Sequence, residues 1–219
     1  MTKFETLIII PEGSLLNQKV AERNALRQTL RELGCDFGPA ERIKYTSLQE
    51  QVKFLGQDER IQLILQTFCN DNLQASQQIF WQKMTDQKQL AQDAITFLDE
   101  VTTKVNLVML AKEPQKILAP RLAESELLNY FSAVYFPENS AAKLPNKNVF
   151  VPIFQEHNNF NPATTLVIGT NLTEEIQGAE NANLPSLWLA PKKSKIPITP
   201  HPTLHLNKLS DLLFYLQLS

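Results

Sequence analysis

The chain has 219 residues, of which 43% are hydrophobic and 20% are charged, and its formal net charge is −2. These values predict a globular protein with a substantial core, and they exclude a strongly basic nucleic-acid-binding protein. Because no apolar run approaches the roughly 18 residues of a membrane helix and no signal-peptide pattern is present, we expect a cytoplasmic protein without a membrane partner. The two cysteines, Cys35 and Cys69, predict buried or half-buried free thiols and no disulfide framework or zinc site.

The first predicted element is a strand at residues 7–10. Four apolar residues, three of them isoleucines, are too few for a helix and are typical of a strand buried on both faces of a parallel sheet. Pro11 and Gly13 end this strand. Ligands of open α/β sheets bind beyond the carboxyl ends of the strands, so the turn that follows is the predicted functional site.

A helical segment follows the first strand. Val20, Leu26 and Leu30 belong to an amphipathic pattern over residues 20–33, which ends at Gly34. Further helical patterns cover about 48–55, 59–68, 73–84 and 89–102, and no strand pattern interrupts them. We therefore predict an all-helical insert at about residues 16–88, between the first and second strands.

Strand and helix patterns alternate in the second half of the chain. Strands are predicted at 105–110, 166–168, 186–189 and 203–206, and a helix is predicted at 209–216. This alternation predicts an α/β fold with a Rossmann-like, doubly wound parallel sheet, formed by residues 1–15 and 89–219.

The turn after the first strand resembles the first signature of the haloacid dehalogenase (HAD) superfamily of phosphohydrolases, a strand followed by Asp-x-Asp-Gly-Thr-Leu-Leu. Gly13 and Ser14 begin the Gly-Thr-Leu-Leu part, and Glu12 takes the place of the second aspartate. Ile10 falls on the nucleophilic aspartate. The resemblance thus implies the family's fold and the loss of its nucleophile.

Two further stretches resemble the second and third signatures. The second strand ends in Ala111 and Lys112, where the family has Thr or Ser, often followed by Asn. Residues 142–150 resemble the Lys-Pro-Asn passage that supplies a phosphate-binding lysine. Without a gap Leu144 takes the place of this lysine, and with one inserted residue Lys143 keeps it; both alignments stay open.

The fourth signature keeps its frame, Gly-Asp-x-x-x-x-Asp-Ile-x-Gly-Ala-x-Asn-Ala. Thr170 replaces its first aspartate, and Glu175 replaces its second. The other frame residues remain: Gly169, Ile176, Gly178, Ala179, Asn181 and Ala182. The resemblance covers nearly the whole chain and implies a nucleotidase-like member with degenerate catalytic motifs. It also implies that the insert at residues 16–88 is the family's α-helical cap.

The substitutions bear on catalysis and on metal binding. Active relatives need a carboxylate nucleophile, a second carboxylate as general acid and base, and Mg²⁺. At the metal-binding positions this chain offers Ile10, the carbonyl group of Glu12, and Thr170, and Glu175 is the one remaining carboxylate and a weak metal candidate. We therefore expect a protein without phosphatase activity and without Mg²⁺.

Three functions stay open at this stage. The chain could bind a small phosphorylated ligand or another anion through Glu12, Gly13, Ser14, Lys112, Lys143 and Asn171. It could instead bind a protein or its own copy through a helix face. The alternative is an active HAD-type phosphatase or 5'-nucleotidase with a rearranged site made of Glu12, Lys112, Lys143 and Glu175.

Overall fold

The computed structural model describes residues 4–52, 55–68 and 73–216. Its strands form one six-stranded sheet in the order β3-β2-β1-β4-β5-β6, and every neighbouring pair is parallel. The strands are β1 (Thr6–Ile9), β2 (Asn106–Leu110), β3 (Ala133–Tyr135), β4 (Thr165–Gly169), β5 (Ser186–Leu189) and β6 (Leu204–Leu206). The predicted parallel α/β fold is confirmed.

Strand β1 is central because its apolar side chains are buried on both faces. Leu7 and Ile9 pack into a cluster on one face that contains Met109. Ile8 packs into a second cluster that contains Val108. Each of these β1 side chains is fully buried, and burial of an aliphatic side chain contributes about 1.5–3 kcal/mol.

The helices lie between the strands and in one long segment after β1. In chain order they are α1 (Pro11–Ser14), α2 (Gln18–Glu32), α3 (Pro39–Val52), α4 (Gln57–Phe68), α5 (Leu73–Thr85), α6 (Ala94–Val101), α7 (Gln115–Ala123), α8 (Val151–Glu156), α9 (Gln177–Asn181) and α10 (Leu213–Leu216). Short 3-10 turns occur at Leu127–Tyr130, Pro137–Asn139, Lys147–Phe150, Pro162–Thr164 and Leu209–Leu212, and a π-helical turn spans Leu172–Ile176.

Two predicted helix boundaries were wrong. The helix predicted at 48–55 begins much earlier, at Pro39, because a proline is well tolerated in the first turn of a helix and does not break it there. The helix predicted at 89–102 begins only at Ala94, because Leu90 forms an antiparallel bridge with Leu16.

The chain divides into two compact units. One consists of Met1–Gln18 and Gln89–Ser219 and contains the sheet, and the other is Lys19–Lys88. Inside the helical unit, the guanidinium group of Arg60 donates two hydrogen bonds to the carboxylate of Glu22. In the part of the chain that the structure describes, no helix is both long enough and apolar enough to cross a membrane.

The expected burial of the cysteines is wrong for one of them. Cys35 is exposed, since it follows Gly34 in the loop after α2, where the amphipathic pattern has already ended. Cys69 lies outside the described residues.

The packing of β1 can be tested with two identical substitutions. We expect Ile9→Ala to lower the free energy of unfolding by about 2–5 kcal/mol, because it removes buried methyl groups and leaves a cavity. Ile198→Ala is the matched control, since Ile198 is 94% exposed and its loss should change stability by less than about 0.5 kcal/mol. Urea unfolding of both variants measures the difference, and equal effects would contradict this account of the core.

Candidate functional site

The turn after β1 is shaped by internal contacts. The N–H group of Gly13 donates to the carbonyl oxygen of Leu16 over 3.0 Å, and the Ser14 hydroxyl donates to the carbonyl oxygen of Ile10. Gly13 has a φ of +98°, and a Cβ atom there would lie 2.7 Å from the Thr170 hydroxyl oxygen. This position thus requires glycine both for its conformation and for the space taken by Thr170.

Ile10 continues the backbone pairing of β1 and points into the core. Its N–H group donates to the carbonyl oxygen of Ile168 over 3.0 Å. Its side chain is fully buried in the cluster that contains Ile8, Val108 and Tyr135. No reacting group can therefore come from this side chain.

Glu12 is the buried carboxyl group of this turn. Its Oε1 atom accepts hydrogen bonds from the backbone N–H groups of Lys112 and Glu113, each over 2.8 Å. Its Oε2 atom is buried and has no hydrogen-bond partner among the described residues. Burial, followed by the nearby Glu113 carboxylate, raises the pKa of Glu12 to about 7, against the opposing effects of the Lys112 charge and of the backbone hydrogen bonds.

Lys112, which directly follows Ala111 at the end of β2, reaches across to the loop after β4. Its Nζ atom lies 2.5 Å from Glu175 Oε1 and 3.2 Å from Glu174 Oε2. Burial alone would lower the pKa of Lys112, but the carboxylates of Glu175, Glu174 and Glu12 outweigh that effect and raise it. The ammonium group therefore stays charged at neutral pH.

The backbone of the β4 loop holds Glu175 in place. Its Oε2 atom accepts from the N–H groups of Thr170 and Asn171, over 2.6 and 3.0 Å. Its side chain has no exposed surface. A Cβ atom on Gly169 would lie 2.5 Å from Glu175 Oε2, so this approach also depends on glycine.

A second buried ion pair fixes the loop that carries Lys112. Arg121, in α7, donates to the carboxylate of Glu113, and both side chains are at most 1% exposed. Gln18 bridges the pair: its Nε2 atom donates to Glu113 over 2.8 Å, and its Oε1 atom accepts from Arg121 over 3.1 Å. The backbone N–H group of Glu113 is thereby held against Glu12.

The two residues that competed for the family's lysine position lie in different surroundings. Leu144 is half-buried and packs against the cluster of Ile8 and Ile10. A Cβ atom on Gly178, inside the frame of the fourth signature, would overlap the Leu144 side chain. Lys143 is exposed. The structure thus packs Leu144 against the cluster that contains Ile10, and it leaves the side chain of Lys143 exposed.

Comparisons with known proteins agree with this architecture. YfnB of Bacillus subtilis, which is named as a HAD-hydrolase, is 22% identical over 97% of this chain and 95% of its own length. The structure of magnesium-bound YfnB matches 98% of this chain and 99% of YfnB with a TM-score of 0.86, at 21% identity. In sequence and in fold, the chain is thus similar to a haloacid dehalogenase-like hydrolase. No family model matches it.

Two further HAD-like proteins are similar over different lengths. The pyrimidine 5'-nucleotidase PynA of Streptococcus pneumoniae is 33% identical over 93 residues, which cover 42% of this chain and 39% of PynA. A haloacid dehalogenase-like hydrolase of the same species matches 99% of this chain and 100% of its own with a TM-score of 0.69, at 17% identity.

The residues at the HAD metal-binding positions do not match what Mg²⁺ requires. Mg²⁺ prefers oxygen ligands in near-octahedral geometry, including one or two carboxylates. Ile10 and Thr170 offer no carboxylate, and the remaining Glu175 is already bound to Lys112. Within residues 4–52, 55–68 and 73–216, no group of three or more His, Cys, Asp or Glu side chains is placed to hold a metal ion.

Sequence reasoning missed four residues of this site: Gln18, Glu113, Arg121 and Glu174. The available signal was Arg121, a charged residue between Leu118 and Leu122 that interrupts an apolar helix face. A charge in such a position calls for a buried partner. The sequence did not identify Glu113 as that partner.

The raised pKa of Glu12 leads to a testable prediction about how the stability of the protein depends on pH. Because its folded-state pKa of about 7 lies above the ordinary value of 4.5, its contribution to stability is fully present below pH 4.5 and is lost as the pH rises through 7. The free energy of unfolding of Glu12→Gln, taken relative to that of the natural chain, should therefore increase by about 2–3 kcal/mol from pH 5 to pH 8.

Urea unfolding at the two pH values measures this gain. Glu100→Gln is the matched control, because the Glu100 side chain is 57% exposed. A Glu12→Gln effect that is the same at both pH values would contradict the prediction.

Proposed function

We propose that this chain is a HAD-like protein that does not hydrolyse phosphate esters and that acts by binding a partner. The observation that carries the proposal is the ion pair of Lys112 with Glu174 and Glu175, at 3.2 and 2.5 Å. It occupies the end of the sheet where active relatives hold a metal ion and a phosphoryl group. The chain in this view is a pseudoenzyme.

The residue at the nucleophile position supports the loss of chemistry. An aspartyl-phosphate intermediate requires a carboxylate that can attack phosphorus, and Ile10 is an alkyl side chain packed in the core. Since catalytic residues act as a unit, the loss of the nucleophile alone removes most of the rate.

The hydrogen bonds of the site argue against a phosphate ligand. The N–H groups of Gly13, Thr170 and Asn171 and the Ser14 hydroxyl all donate to acceptors within the chain. Lys112 is neutralised by two carboxylates. A phosphate would have to break these bonds, so between an anion and a protein partner we favour the protein.

One observation favours a second candidate, a phosphatase with a rearranged site. The pKa of Glu12, about 7, suits a general acid and base at neutral pH. Its unpartnered Oε2 atom could then exchange a proton with a substrate. This candidate requires the Lys112 ion pair to open.

A phosphatase assay separates the two candidates. We expect no release of phosphate above background from pyrimidine and purine nucleoside monophosphates or from sugar phosphates, with or without Mg²⁺. PynA of S. pneumoniae, a pyrimidine 5'-nucleotidase by name, is the positive control. If the natural chain turns over any of these substrates and Glu12→Gln abolishes the turnover, the second candidate is correct.

Thermal unfolding tests whether the protein binds Mg²⁺. We expect the Tm to be unchanged by EDTA or by millimolar Mg²⁺. A bound metal at 100 times its Kd would add about 2.7 kcal/mol, which corresponds to roughly 5–10 °C for a protein of this size. An upward shift of that order would contradict the loss of Mg²⁺.

The apolar nucleophile position can be tested in the same way. Ile10→Asp should lower the Tm of the metal-free protein, because it buries a carboxylate among the apolar side chains that surround Ile10. Ile10→Val, which keeps the side chain apolar, is the matched control and should cost only about 0.5–1.5 kcal/mol. Equal Tm values for the two variants would show that position 10 tolerates a charge.

A further inference from the structure

We infer that the carboxyl groups of Glu12, Glu174 and Glu175 form a cation site and that its resident cation is the chain's own Lys112 ammonium group. The inference deepens the proposed function and rests on it, because it explains what replaces the metal of active relatives. It assigns to this crevice a preference for a primary ammonium group over both an anion and a divalent metal.

The sheet topology brings these groups together. Strands β2, β1 and β4 are neighbours and are all parallel. Lys112 follows β2, Glu12 follows β1, and Glu174 and Glu175 follow β4. Since parallel strands end at the same edge of a sheet, the carboxyl groups and the ammonium group meet there.

The burial of two of the carboxyl groups favours a cation beside them. Glu12 is 3% exposed, and Glu175 has no exposed surface. Each carboxyl group accepts two backbone hydrogen bonds on one oxygen atom. The other oxygen of Glu12 has no hydrogen-bond partner among the described residues, and the other oxygen of Glu175 lies 2.5 Å from Lys112 Nζ. Without a positive charge, the ionised Glu175 carboxylate would be desolvated and uncompensated.

An ammonium group fits the site better than a metal ion does. Lys112 has three N–H donors on one nitrogen atom, and two of the carboxylates lie within 3.2 Å of it. The same residue's backbone N–H group holds Glu12, so its ammonium group is delivered from a fixed point. The described carboxylates, in contrast, do not form a group of three that could hold a metal ion.

Chemical rescue tests this inference. Lys112→Ala should lower the Tm by at least about 5 °C at pH 8, because it leaves the carboxylates without their cation and opens a space that bulk solvent reaches. Propylammonium at 50–100 mM should restore a large part of the loss. Tetramethylammonium, which has no N–H donor, and Mg²⁺ should not restore it.

Lys104→Ala is the control for the loss of a lysine. Lys104 forms an exposed ion pair with Glu100 over 3.8 Å, and its removal should change the Tm little. The natural chain in propylammonium is the control for a general solvent effect. A Lys112→Ala protein as stable as the natural chain would overturn the inference, and so would a Tm loss that Mg²⁺ restores but propylammonium does not.

A second comparison tests the inferred cation site if Lys112→Ala does not fold. Lys112→Met keeps the aliphatic stem and removes the charge, whereas Lys112→Arg keeps the charge. We expect the Arg variant to be more stable than the Met variant, and we expect Glu175→Gln to restore stability to Lys112→Met, because it removes the carboxylate that has lost its cation. A Met variant as stable as the Arg variant would refute the inference.

The result of the phosphatase assay and the results of the stability measurements on the Lys112 variants are independent. Phosphatase activity in the natural chain would refute the proposed function and leave the stability measurements unaffected. Failure of rescue and of the charge comparison in an inactive protein would refute the cation site alone.

Discussion

The site depends on the cost of burying carboxyl groups where three parallel strands end. Glu175 has no exposed surface and is held by two backbone N–H groups. Hydrogen bonds alone do not compensate a buried charge, and an ion pair helps only when its geometry is good and its other polar atoms are satisfied. Lys112 supplies this compensation from the end of β2, which lies on the other side of β1 from the Glu175 loop.

A second buried ion pair keeps Lys112 in position. Arg121 and Glu113 are nearly inaccessible, and Gln18 hydrogen-bonds to both. The loss of one partner of such a pair typically costs 3–5 kcal/mol. The backbone N–H groups of Lys112 and Glu113 both bind Glu12. The two ion pairs are therefore linked through one loop, and a change in either is expected to move the other.

The sequence predicted the parallel sheet because its signal is local: short runs of β-branched and apolar residues alternate with helical patterns. The positions that lack the carboxylates of active relatives were inferred from the family resemblance, since that requires only residue identity. The sequence did not predict the partners of Lys112, because they come from a loop about 60 residues away and depend on strand order. It left Lys143 and Leu144 open for the same reason, because burial against Gly178 is a tertiary contact.

The persistence of the family's glycines has a structural explanation that requires no catalysis. Gly13 must leave room for the Thr170 side chain, and Gly169 must leave room for Glu175. Both contacts involve residues that replace the family's aspartates. In this chain, two glycines of the signatures are therefore required by contacts within the loops themselves. The glycines of a signature thus indicate the backbone geometry of the strand ends, whereas its charged residues indicate the chemistry of the site.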